Sequence, residues 1–364
     1  MFGSGARRRL RVALATESRE PSGVGAHMLL LARHLDCETV IFALDGVELL
    51  AHAARAGLSA RALGTDWQAD FKGFDVVHLH AGIGWEGPML AWAANGAGVG
   101  AIVRTEHLPW IVDDTEQLGH CRQAESLVDA RIAVSSSVAE SYRARPDVSA
   151  PVHVVENGVE PAPATRPRAA VRASLGLTPD IPVALAAGRF TPQKGYDLLI
   201  EAARDLPGHG VVLIAGDGPG LAGVQAAVAR TGAPVRLLGR RDDLPDLLAA
   251  ADLLVIPSRF EGLPLVVLEA MAAGRAVLGT AVAGTRDAVV HGETGWLVPP
   301  EDPAALRAAL AHWLPDRKAL ARAGAAGRRR WAERFTAERM AAETLAVYRA
   351  ALAPAQAPTL QAPA

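Results

Sequence analysis

Short runs rich in Val, Ile, Leu and Ala recur along the chain, each followed by a longer Ala/Leu/Arg-rich stretch of helical character. In the first half the runs span 10–16 (LRVALAT), 38–43, 74–80 (FDVVHLH), 100–105 and 130–134 (ARIAV). In the second half they span 181–187 (IPVALAA), 210–215 (GVVLIA), 235–238, 252–256 (DLLVI) and 276–279. Runs that are apolar at successive positions fit strands covered on both faces, as in a parallel sheet. Their alternation with helices predicts βαβ units wound on both sides of a sheet, an α/β protein.

One Pro-rich stretch, NGVEPAPATRPR (157–168), separates the two series and reads as a linker. The expected architecture is two doubly wound Rossmann-like domains, residues 1–160 and 161–336, facing across a cleft. Ligands of such sheets bind at the carboxyl ends of the strands. Residues 351–364, ending in QAPTLQAPA, are of low complexity and read as a disordered tail. The chain's 364 residues suit two domains.

Charge narrows the choice of partners. With 37 Lys and Arg against 39 Asp and Glu, the formal net charge is −2, which gives no electrostatic case for nucleic acid. Cys37 and Cys121 are too far apart to suggest a metal cluster, and they fit reduced thiols. Arg7, Arg8, Arg9 and Arg11 precede an apolar segment shorter than a secretory or membrane-spanning one. The expectation is a cytoplasmic protein. The basic N-terminus reads as a solvated end, with peripheral contact at the inner face of a membrane as the alternative.

Three segments carry candidate chemistry. In AAGRFTPQKGYDLLIEA (186–202), Gly188 ends a strand and Arg189 and Lys194 stand before a helix. That arrangement suits a diphosphate, though on this segment alone a helix entry with two solvated cations is the slightly better reading. In LIAGDGPGLAGV (213–224) glycines follow a strand, but Leu221 stands where a dinucleotide fingerprint needs glycine, so a nicotinamide cofactor is not indicated. In RFEGLPLVVLEAMAAG (259–274), Pro264 is placed to begin a helix, with Glu261 in the loop before it and Glu269 inside it. Free amides of Leu265 and Val266 would then face the cleft as anion donors. Equally, Glu261 could solvate the loop and Glu269 pair with an arginine.

Taken together, GRFTPQKGYDLLIEA, GDGPG, LLAAADLLVIPSRFEGLPLVVLEAMAAG and HGETGWLVPPED make residues 180–300 resemble the donor domain of a GT-B glycosyltransferase. The likeness is to the retaining family 4, of which the E-x7-E spacing of Glu261 and Glu269 is a hallmark. SGVGAHMLLLARHL, DVVHLH, RTEH, AVSSSV and VVENGVE extend it more loosely through the first half. The resemblance implies a retaining transfer from a nucleotide-diphosphate sugar, with no metal or other cofactor required. Arg189 and Lys194 would hold the diphosphate, Glu269 the ribose and Glu261 the transferred sugar. His107 would lie near the reacting sugar. Gly23 and Gly188 would admit the donor closely, as would the backbone of Gly262, Leu263, Leu265 and Val266. A last helix, about 337–350, would cross back onto the first domain. The acceptor is left open, as a glycan, a lipid-linked compound or a small molecule. Ser22, Ala283 and Asp287 depart from the family's usual residues.

Two segments read more plainly. GRRRWAERF (327–335) fits the exposed face of a helix, and Asp113 and Asp114 fit a helix cap better than an acceptor site. Two other functions fit the fold: a nucleotide-sugar epimerase, and a non-catalytic nucleotide- or carbohydrate-binding protein. The E-x7-E pair speaks against the first and the intact charged set against the second.

Overall fold

The computed structural model describes residues 8–19, 23–112, 114–206 and 210–353. Its first sheet comprises β1 (Arg11–Ala15), β2 (Glu38–Ala43), β3 (Ala60–Ala62), β4 (Val76–Ala81), β5 (Ala101–Glu106), β6 (Ala130–Ala133) and β7 (Val152–Val154). The second comprises β8 (Val183–Ala187), β9 (Val211–Ala215), β10 (Val235–Gly239), β11 (Leu253–Ile256), β12 (Ala276–Thr280) and β13 (Gly295–Val298). Their orders are β3-β2-β1-β4-β5-β6-β7 and β10-β9-β8-β11-β12-β13, and the neighbours pair in parallel. Both orders reverse direction beside the first strand of the sheet, between β1 and β4 and between β8 and β11. A crevice opens at such a reversal, at the carboxyl edge.

Side chains explain why the strands are apolar throughout. Val12 and Leu14 pack with Met28 and Leu31 of the helix Gly23–His34, while Ala13 and Ala15 meet Leu90 and Ala94 on the other face. In the second sheet, Val183 and Leu185 pack with Val267 and Met271, and Ala184 and Ala186 with Leu199 and Ile200. Each strand therefore feeds two cores, one per face.

The chain passes between the lobes twice, and the two passages lie side by side. The Val159 amide donates to the Phe335 carbonyl at 2.9 Å, and Trp331 Nε1 donates to the Val159 carbonyl at 3.2 Å. Arg334 and Arg339 both pair with the buried carboxylate of Glu156. The helix Ala337–Ala351 then lies against the helix Gly23–His34 and places Met340, Ala341, Val347 and Tyr348 in the first lobe's core. The Pro-rich stretch is irregular but anchored, since Asp246 accepts from the Thr165 and Arg166 amides at 2.6 and 3.2 Å.

Several expectations need correcting. The runs miss β3, β7 and β13, each at the edge of its sheet. Pro264 is the cap residue before the helix Leu265–Ala272 instead of its first turn, and Gly23 opens a helix instead of lying in the preceding loop. Ala351 is still helical, and the rest of the expected tail from 354 lies outside the described residues, as do Ser22 and Asp113. Asp114 caps the helix Thr115–Glu125 by accepting from the Gln117 amide at 2.9 Å. In the helix Arg317–Arg334, Arg328 and Arg329 are exposed, whereas Arg330 donates to the Ala288 and Asp287 carbonyls.

Candidate functional site

A cleft of about 810 Å³ runs between the two lobes and is lined from both. The second lobe contributes the turns after β8, β9 and β11. The first contributes the segments after β1, β4 and β5. Each segment leaves the carboxyl edge of its sheet next to the reversal of strand order.

After β8 the backbone turns through Gly188 and Arg189 into the short turn Pro192–Lys194. A side chain on Gly216, in the turn after β9, would place Cβ 1.9 Å from the Gly188 carbonyl oxygen. That contact presses the two turns together, so glycine is required there. The turn after β11 is tied to the same place. Gln193 Nε2 donates to the Phe260 carbonyl at 3.0 Å, and the Arg259 amide donates to the Gln193 carbonyl at 2.8 Å.

This strapping sets the first carboxylate. Glu261 is buried, and its Oε1 accepts from Lys194 Nζ at 2.6 Å and from Ser258 Oγ at 2.7 Å. A lysine ammonium has three donors, so two remain for another partner. The exposed Arg189 lines the same wall.

The second carboxylate is unlike the first. Glu269 sits on the second turn of the helix Leu265–Ala272, with part of its surface open to the cleft. Among the described residues its carboxyl group has no hydrogen-bond or ion-pair partner. Burial alone pushes its pKa up, to about 7. Leu265 and Val266 open the helix, and the amides of a first turn lack intrahelical acceptors. Gly262 and Leu263 line the cleft from the preceding loop. A Cβ on Gly262 would fall 1.8 Å from the His107 carbonyl oxygen, so this loop touches the first lobe directly. Asn157 Nδ2 donates to the Leu263 carbonyl at 2.8 Å and adds a second tie.

On the first lobe, His107 follows β5 and belongs to a group of packed imidazoles. His80 Nδ1 lies 3.3 Å from His107 Nε2, and His27 Nδ1 lies 2.9 Å from Asn157 Oδ1. Behind them, His78 bridges Thr105 and Tyr348, at 2.6 Å to each. Burial lowers all four pKa values, that of His27 to about 4, so the rings are neutral near pH 7. His27, His80 and His107 each offer a ring nitrogen within 4.8 Å of the others, which makes them the described group able to hold a metal ion. Two of these imidazoles, His80 and His107, are already paired with each other, while the buried His80 Nε2 has no hydrogen-bond partner among the described residues.

The structure thus brings every site residue expected from the sequence, including Gly23, to this one cleft. The sequence reading missed Ser258, Asn157, His27 and His80. Of these, the two-residue spacing in DVVHLH did signal that His78 and His80 share a face of β4. It also missed Glu17, whose Oε2 accepts from the Gly87 amide at 3.0 Å while the buried Oε1 has no partner. Asp287 does not reach the cleft; it accepts from the Ser137 amide at 3.1 Å, joining the lobes elsewhere. Arg8, Arg9 and Arg11 pair with Asp75, Asp36 and Glu38. No described helix is long and apolar enough to cross a membrane.

The chain is similar to known proteins in sequence and in fold. Residues 167–330 match the family described as glycosyl transferases group 1, and residues 21–162 match the one described as glycosyltransferase family 4. D-inositol 3-phosphate glycosyltransferase of Streptomyces scabiei is 34% identical over 284 residues, 70% of this chain and 63% of that protein. The match therefore spans just under two thirds of that relative's length. Alpha-maltose-1-phosphate synthase of Mycolicibacterium smegmatis is 33% identical, across 90% of this chain and 96% of that protein. Among solved structures, Anabaena HepE in complex with UDP and glucose superposes with a TM-score of 0.81 at 18% identity, covering 94% of this chain and 100% of that one. Sucrose-phosphate synthase from Thermosynechococcus elongatus gives 0.76 at 22% identity, covering 94% and 99%. At these identities the structural likeness is one of fold, the two-domain GT-B arrangement.

Proposed function

The chain belongs to glycosyltransferase family 4, and from that we propose that it transfers a sugar from a nucleotide-diphosphate donor to a hydroxyl acceptor, with retention at the anomeric carbon. The observation that carries this reading is the convergence of Arg189, Lys194, Glu261 and Glu269 on one cleft. Two cations there suit a diphosphate, and the amides of Leu265 and Val266 add donors of the kind that bind anions at helix starts. Glu269, which has no partner among the described residues, suits the two hydroxyls of a ribose. Glu261 lies nearer the turn after β8 and suits the transferred sugar.

In this reading Arg189 and Lys194 stabilise the charge that gathers on the departing diphosphate, and no metal is required for that task. Glu261 fixes Lys194 before the donor arrives, so little is lost in ordering its side chain. His107, a neutral imidazole, offers a hydrogen bond to the sugar without adding charge. Solved neighbours with UDP or UDP-glucose bound support a uridine nucleotide as the first donor to test.

The test is a panel of UDP-glucose, GDP-mannose and ADP-glucose, scored by thermal stabilisation and nucleotide release. One donor should stabilise the native chain and release its nucleotide in the presence of acceptor. Arg189→Ala should lower turnover at least tenfold (about 1.4 kcal/mol or more of barrier) and leave the melting temperature nearly unchanged, because Arg189 is exposed. Full turnover in that variant would remove the diphosphate assignment.

A further inference from the structure

The two walls of the cleft differ in charge and polarity. On the second-lobe wall stand four cations, Arg189, Lys194, Arg240 and Arg241, against the carboxylates Glu261 and Glu269. Among the described residues, the first-lobe wall, where an acceptor must enter to meet the sugar, has one cation, Arg19, against the carboxylates Glu17 and Glu86. Beside the polar His107 and Asn157, its other large side chains are apolar: Ile83, Trp85, Leu108 and Ile111.

Three of these are unusually open to solvent. Among the described residues, the exposed large hydrophobics are Ile83, Trp85, Met89, Trp92 and Ile111, at 37–56% exposure. All five belong to the first lobe, in the segments after β4 and β5. These segments are in contact, since a Cβ on Gly84 would meet the Trp110 ring at 2.8 Å. Met89 and Trp92 lie three positions apart on the helix Pro88–Ala97 and so share a face of it. A concentrated exposed apolar patch of this kind marks a binding groove more often than plain surface.

We propose that the acceptor is an uncharged hydroxyl compound bearing an alkyl chain, with its hydroxyl toward His107. The chain lies against Ile83, Trp85 and Ile111 and leaves the cleft toward Met89 and Trp92. This rests on the sugar-transfer reading and narrows it. A phosphorylated acceptor would set its dianion beside Glu17 and Glu86 with Arg19 alone to offset it, which is unfavourable in a partly desolvated site. In the transfer, the acceptor oxygen bonds to the anomeric carbon as that carbon's bond to the diphosphate oxygen breaks. The hydroxyl proton leaves with the nucleoside diphosphate.

The experiment uses the full chain with the donor that stabilises it. Methyl, hexyl and octyl glucoside, each below its micellar concentration, are compared with inositol 3-phosphate and glucose 1-phosphate. Products are identified by mass spectrometry. The expected result is a kcat/KM at least tenfold higher for octyl than for methyl glucoside, with both phosphorylated probes poorer than octyl glucoside. In Trp85→Ala and Ile111→Ala the octyl-to-methyl ratio should fall at least fivefold. Preference for a phosphorylated probe, no gain with chain length, no turnover of any glucoside, or an unchanged ratio in both variants would overturn the proposal while donor binding stands. Failure of every donor to bind would instead remove the sugar-transfer reading, and the proposal with it.

Discussion

Glu269 is an acid in a largely apolar setting with no partner among the described residues, and that has a measurable signature. Its carboxyl titrates at about 7, against an ordinary value of 4.5. An ionised carboxylate accepts hydrogen bonds from both hydroxyls of a diol better than a protonated one does. Nucleotide affinity should therefore rise between pH 6 and pH 8, and calorimetric titration should show a weaker and flatter profile in Glu269→Gln. Stability moves the other way. The folded state holds this proton more tightly than the unfolded chain, so the associated stability is complete below about 4.5 and lost as pH rises through about 7. Glu269→Gln should accordingly be more stable than the parent at pH 8, by on the order of 2–3 kcal/mol, and no more stable near pH 4.5. Urea denaturation at the two pH values checks this. Glu269 was visible in the sequence as an acid inside an apolar helix, because burial of a carboxylate demands an explanation. The Lys194–Glu261 pair was not, since 67 positions separate its partners and only the fold brings them together.

The segment after β11 works as one element. Its ties to Gln193 hold it to the second lobe, and Gly262 rests on the His107 carbonyl of the first. Gly262→Ala should force the lobes apart, lowering turnover at least tenfold and stability by about 1–3 kcal/mol through overpacking. Steady-state kinetics and denaturant unfolding read the two effects separately. Elements of this kind were legible where sequence periodicity is strong. Ten strands stand out as apolar runs, nine of them central in their sheets and the tenth, β10, at an edge, whereas β3 (ARA) and β7 (VHV) are three residues long, only partly buried, and carry no such signal. β13 (GWLV) is mostly buried, but at four residues it is short and opens with glycine. The one-residue displacement of Pro264 has a local cause: at ψ 121° it remains extended, with the helix beginning behind it.

Across the whole molecule, the last helix ties the site's imidazoles to the end of the described chain. Tyr348 donates to or accepts from His78 at 2.6 Å, and His78 stacks near His80 at 4.1 Å between ring centroids. Tyr348→Phe removes that bond and leaves a buried ring nitrogen unpaired. It should destabilise the protein by about 1–3 kcal/mol, which chemical denaturation would detect. The division into two wound lobes followed from the strand runs, but the pairing of Glu48 with Arg240 across the lobes, at 2.8 Å, could not be read from any local pattern. The return of the helix Ala337–Ala351 also orders events during synthesis. Chains fold in the direction they are made, yet Met340, Ala341, Val347 and Tyr348 of the last helix are part of the first lobe's core. On a ribosome this lobe emerges first and is finished last, holding an apolar surface open while the whole second lobe is translated.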